Sequence, residues 1–313
     1  MPAPSGGIQG AAEPRIGRRL LASCWTWAGD VGPGSADERS PVPLDRRIAA
    51  IAASGWNGVG LSHPDLRAYT ASPGLDALRR RLADAGIDRI EVEFLEDWWQ
   101  SGPRKDASDR VRGELLEAAA QLGARALKVG APARTPLRDQ PSGQRLIDAF
   151  GELAEAAAPH DVDVALEPMS HTVLPTLPDA IDLVRSVGNP RAGLAVDAFQ
   201  LARSGEGFED LPALLDGVPV HVVELGDAVI DAALAARARE GHGLAERSLP
   251  GHGDLDVAGF VLAMHEAGWR GDWGVEIISS RLRALPVEDG VRQVHEGSAR
   301  ILEEAERRLA RRA

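Results

Sequence analysis

Cysteine is nearly absent: Cys24 is the one thiol in 313 residues. No disulfide can form within the chain, and the composition fits a reducing compartment, the cytoplasm. Lysine is almost as scarce, with only Lys105 and Lys128, and the formal net charge is −12. A surface of that sign repels phosphate backbones and argues against a nucleic-acid partner. No apolar run approaches the roughly 18–20 residues of a membrane-spanning helix, so no membrane partner is expected. No GxGxxG or GxxxxGK[ST] follows a strand, which removes local support for a nucleotide-binding fold. Residues 1–19 (MPAPSGGIQGAAEPRIGRR) lack the apolar centre of a secretion signal. The Ala/Pro/Gly-rich stretch 1–18 is expected to be a flexible leader, with an arm to a neighbouring subunit as the alternative.

What the chain does have is a recurring pattern of short apolar runs that end in an acid. Residues 162–169 read VDVALEPM, with Glu167 at the end of the run and a proline after it. The pattern returns at 193–200 (GLAVDAFQ, Asp197), 218–227 (VPVHVVELGD, Glu224) and 273–279 (WGVEIIS, Glu276). An unpaired carboxylate at the end of a buried strand is costly unless something there needs its charge. The four acids follow one another at intervals of 30, 27 and 52 residues, and a strand–helix unit takes about 30 residues. Strand-then-helix units alternate eight times from about residue 19 onward, with no second composition zone. Alternation gives a parallel sheet, and eight units favour closure into a single (β/α)8 TIM barrel, here 19–313. Strand C-termini then converge on one face, where several anions together need a cation or shared protons. A hard divalent metal held by oxygen ligands meets that need; ordinary strand-end acids paired with arginines are the alternative.

Other residues fall on the same face. In 19–27 (RLLASCWTW), read as the first strand, Trp25 and Trp27 lie two apart and share a side, either as an apolar wall for a ligand or as packing against the barrel's own loops. His63 follows the second strand (58–62), although a lone histidine is more often structural. In 89–95 (RIEVEFL), Glu91 and Glu93 share a side, and Glu93 near the strand end is a fifth acid. Lys128, in the strand ALKVG, needs an anion if buried, and serves either substrate oxygens or the acid cluster. The loop PGHGDLD (250–256) places Arg247, His252 or backbone N–H groups over the mouth, or is a plain turn.

At these residues the chain resembles the sugar phosphate isomerase/epimerase family, the xylose isomerase-like TIM barrels. The matching stretches are GVGLSHPDL (58–66), VEFLEDWW (92–99), LKVGAP (127–132), VALEPM (164–169), GLAVDAFQLARSG (193–205), VVELGDA (222–228), LPGHGDLD (249–256) and GWRGDWGVEIIS (268–279). The resemblance implies a divalent metal at Glu167, Asp197 and Glu276, with Glu224 standing where the family has histidine. A fourth carboxylate favours Mg2+ or Mn2+ over Zn2+. Gln200 is a second departure, at a position where the family often has histidine. The resemblance further implies a sugar or polyol isomerase or epimerase in which Glu167 and Glu276 move a proton beside a carbonyl. Lys128, Arg247, His63, Glu93, Trp25 and Trp27 are then candidates for contact with the substrate. A dehydratase of a keto-polyol on the same scaffold, and a barrel without metal or chemistry, are the alternatives. A homo-oligomer is left open.

Overall fold

The computed structural model describes residues 15–133, 141–229 and 247–312. Eight parallel strands form a closed barrel: β1 (Leu20–Ala22), β2 (Gly58–Ser62), β3 (Arg89–Leu95), β4 (Ala126–Gly130), β5 (Asp163–Glu167), β6 (Ala192–Asp197), β7 (Val220–Leu225) and β8 (Trp273–Val275). Each pairs with its neighbours in sequence, and β8 closes on β1 with Leu21 opposite Gly274. Helices such as Leu44–Ser54, Gly102–Leu122, Gly143–Ala157 and Val287–Ala310 run outside. Among the described residues no helix is long and apolar enough to cross a membrane.

Side-chain alternation along each strand sorts the core into two unlike parts. Outward residues such as Val92, Leu127, Val129, Leu166, Leu194, Val196 and Val223 belong to one large apolar cluster shared with the helices. On the opposite face, Ala126, Ala165, Ala195 and Val222 form a small separate cluster. Two residues further along the same strands stand Lys128, Glu167, Asp197 and Glu224. The lumen is therefore small and apolar below, charged above. This settles the side taken by Glu91 and Glu93: they face the lumen with Lys128, which is in register with Glu93.

Local signals explain the helix boundaries. Thr176 and Asp179 form a reciprocal capping box at the start of Leu177–Val187, and Gly188 ends that helix in the left-handed region at φ 63°. Two expectations change. The first strand stops at Ala22 and turns into a short 3-10 helix, Cys24–Thr26, so the two-residue strand period does not reach Trp25 and Trp27. The helix His63–Ala71 was not anticipated; its signal is Ser62, whose hydroxyl accepts from Asp65 N–H, with Pro64 in the first turn. Of the expected leader, 1–14 lie outside the described residues. Ile16 is buried in the core, and Gly17 O accepts from the Trp273 indole N–H, so packing begins before residue 19.

Candidate active site

The four strand-end acids meet. Glu167 is the last residue of β5, Asp197 the last of β6, Glu224 lies one from the end of β7, and Glu276 directly follows β8. Asp197 pairs with Glu224 in register, and Glu224 with Gly274. One ligand oxygen from each of the four lies within 4.8 Å of the others, and all four residues are buried. The Asp197 carboxylate also caps the helix Ala198–Ser204 by accepting from Phe199 N–H at 2.8 Å.

Two cations thread the cluster. Arg247 NH2 lies 2.7 Å from Asp197 Oδ2 and 2.5 Å from Glu276 Oε2, with its guanidinium over the Phe199 ring. Lys128 Nζ lies 2.7 Å from Glu224 Oε1, 2.5 Å from Glu93 Oε2 and 3.7 Å from Glu276 Oε1. Gln200 Nε2 donates to Glu167 Oε1 at 3.0 Å. Ser23 Oγ donates to Glu276 Oε1 at 3.1 Å.

Burial sets the proton affinities. It pushes Glu167 up to about 8, with Glu276 and Asp197 adding to the effect. It also raises Asp197, against the pull of Arg247, and Glu224, against the pull of Lys128. At Glu276 burial acts the same way, but Arg247 and Lys128 outweigh it and leave the carboxyl below its ordinary value. Burial works against the Lys128 ammonium, and Glu224, Glu93 and Glu276 more than offset it.

Above the cluster opens a cleft of about 820 Å3, lined among others by Trp25, His63, Glu93, Glu167, Gln200 and Glu276. Glu167 and Glu276 thus face both the cluster and the cleft, whereas Asp197 and Glu224 lie beneath. Trp25 and His63 are at the mouth, the latter with Nε2 2.7 Å from Glu114 Oε2. Trp27 is not part of the expected wall. It is fully buried, donates its indole N–H to Gly60 O at 2.9 Å and packs under Arg47. Lys128 takes the second of its two expected roles, beside the acid cluster, and Arg247, expected over the mouth, does not line the cleft. Both are buried below it as counter-ions, because lumen carboxylates need partners more than a solvated cleft does.

Asp227 is a residue the sequence reading passed over. Its carboxylate accepts from the backbone N–H groups of Ala228, Gly251, Gly253 and Leu255 and so gathers the 249–255 loop. The short ribbon Asp227–Ala228 with Arg247–Ser248 carries Arg247 into the cluster. Asp227 stands 24 residues before Gly251, so no local sequence signal linked the acid to the Gly251–Gly253 turn.

Gly60 shows how tightly the lumen is filled. A Cβ there would run into Glu93 Oε1 and lie 2.9 Å from Cys24 N. Gly60→Ala is expected to destabilise the fold by about 1–3 kcal/mol through overpacking, read as a lower midpoint in thermal unfolding. An unchanged midpoint would show that Glu93 and the backbone at Cys24 both give way.

The cluster suits a hard divalent cation. Every donor is a carboxylate oxygen, and Glu224 Oε2 is buried without a hydrogen-bond partner. Burial, and to a lesser degree their mutual repulsion, raises the proton affinities of three of the four acids, so a cation bound there would displace protons.

A family model described as xylose isomerase-like TIM barrel matches residues 48–303. The 3-dehydroshikimate dehydratase of Pseudomonas aeruginosa is 29% identical over 262 residues, covering 80% of this chain and 39% of that protein. The inosose isomerase of Bacillus velezensis is 26% identical over 157 residues, covering 50% of this chain and 54% of that protein. The chain therefore spans well under two thirds of the length of these relatives. A solved structure of IolI protein with a bound zinc atom superposes with a TM-score of 0.77 at 18% identity, covering 92% of this chain and 99% of that one. That likeness concerns the fold.

Proposed function

The chain belongs to the xylose isomerase-like TIM barrel family, and from that premise we propose that it is a metal-dependent enzyme that moves a proton at the carbon next to a carbonyl in a small polyhydroxylated ketone, a sugar or polyol. The observation that carries the reading is that Glu167 and Glu276 line the cleft and share one cluster of four carboxylates with Asp197 and Glu224 beneath it. Burial raises Glu167 to about 8, while Arg247 and Lys128 keep Glu276 ionised.

Glu167, Asp197, Glu224 and Glu276 would hold Mg2+ or Mn2+. Bound there, the cation supplies Lewis acidity that lowers the cost of negative charge on the substrate oxygens. The protein's own residues account for the rest. The Glu276 carboxylate accepts the proton from the carbon beside the carbonyl, and the electron pair of that C–H bond moves toward the carbonyl oxygen to give an enediolate. The proton taken up by Glu276 is then returned to carbon, and Glu167, ionised once a cation displaces its proton, would serve as the base for the opposite direction. Its carboxyl is aimed by Gln200, and Ser23 holds Glu276. Returned to carbon, the proton completes an isomerisation or epimerisation.

A second reading is favoured by the dehydratase relatives, whose match extends over 80% of the chain. There the protonated Glu276 delivers its proton to a hydroxyl beside the enolate, the C–O bond breaks and water leaves. The test is incubation of the full chain with Mn2+ and either 3-dehydroshikimate or a keto-inositol in D2O, before and after treatment with a chelator. Metal-dependent deuterium uptake beside the carbonyl, in substrate or product, is expected. Loss of water would select the second reading. No uptake and no product from either class would overturn both.

A further inference from the structure

Lys128 lies beneath the carboxylate cluster rather than in the cleft, and its ammonium uses all three of its donors. They reach Glu224 Oε1 at 2.7 Å, Glu93 Oε2 at 2.5 Å and Ser23 Oγ at 3.2 Å. These partners stand on β7, on β3 and just after β1, so the side chain is a strut across the barrel lumen. The layer below leaves room for it, because Ala126, Ala165 and Ala195 are small. Glu224 spends one oxygen on this bond, and Oε2 stays buried without a hydrogen-bond partner.

We propose that Lys128 is a positioning residue for the metal. It fixes the Glu224 carboxylate through Oε1, offsets part of its charge, and leaves Oε2 as the single oxygen that Glu224 turns to the cation. This rests on the metal site proposed above and names what makes a fourth carboxylate tolerable there. Four carboxylates within 4.8 Å of one another repel. Without its tether Glu224 would turn away from the other three. Lys128 divides its charge between Glu224 and Glu93, and the orientation of Glu224 is set from outside the coordination sphere.

The competing role is purely structural: Lys128 as the partner of Glu93. A set of variants separates the two, read as Mn2+ affinity of the full chain by electron paramagnetic resonance titration, with thermal unfolding alongside. Lys128→Met is expected to weaken Mn2+ binding by about tenfold or more, the usual effect of losing an outer-shell partner. Adding Glu224→Gln, a neutral oxygen ligand that needs no counter-charge, is expected to bring affinity back to within about threefold of wild type. Adding Glu93→Gln instead gives the same formal charge and is expected to leave affinity weak. Rescue by Glu93→Gln, equal behaviour of the two double variants, or wild-type affinity in Lys128→Met would each overturn the proposal. If Lys128→Met does not fold, the contrast between the two double variants still decides. A wild-type chain that binds no Mn2+ fails the metal reading and this one with it. Wild-type binding with the wrong rescue pattern fails this one alone.

Discussion

Glu276→Gln is expected to lower turnover by about a thousandfold, within the range for removal of a general base, while the protein still binds Mn2+. The substitution keeps size and one oxygen. Glu276 lies between the two cations, with Arg247 NH2 at 2.5 Å and Lys128 Nζ at 3.7 Å. Those contacts keep it ionised in a buried place where burial alone would protonate it. An amide in the same position cannot accept the substrate proton. Metal binding is expected to weaken but survive, because Glu167, Asp197 and Glu224 remain and an amide oxygen is still a hard donor. The measurement is solvent-deuterium exchange at saturating Mn2+, with bound metal quantified in the same samples. Wild-type exchange in a metal-loaded variant would remove Glu276 as the base and shift the role to Glu167.

The acids were legible because a strand-final carboxylate after an apolar run carries its own argument, and because their spacing matched the strand–helix period. Lys128 stood out by rarity and by its place inside a strand. The wider architecture followed from the alternation of units. Other features obeyed rules with no trace in a single sequence. Trp27 left the mouth because β1 ends at Ala22, after which a 3-10 turn replaces the strand period on which the shared-face argument depended. Arg247 was expected over the mouth and instead descends between Asp197 and Glu276. Its path is set by a ribbon two residues long, below what periodicity can detect. The nest of N–H groups around Asp227 depends on loop backbone geometry, and Gly-x-Gly spacing marks its material without marking its shape. The small interior layer of alanines is visible in the sequence only after the inward face is known. It then explains why this lumen accommodates a lysine where a packed barrel has branched aliphatics.

Mn2+ is expected to bind more tightly as pH rises from about 6 to 8, by about tenfold per pH unit for each proton displaced, and then to level off. The sign follows from the carboxyls. Burial pushes Glu167 up to about 8 and raises Glu224 as well, so near neutral pH the metal-free cluster retains protons that a cation must expel. The same groups govern stability. A carboxyl with a raised folded-state affinity contributes stability that is fully present below the ordinary carboxylate range and is lost as pH rises through about 8. Glu276 is shifted the other way, and its contribution is present above the ordinary range and fades only in acid. The metal-free chain is therefore expected to unfold at progressively lower temperature between pH 5 and pH 9, values chosen to bracket the Glu167 transition at about 8. Saturating Mn2+ should restore the midpoint by an increment that grows over the same interval, because binding to the folded state alone stabilises it by mass action. Scanning calorimetry across that range, with and without Mn2+, measures both trends. A metal increment that shrinks with rising pH would mean that the cation does not compete with protons at these acids.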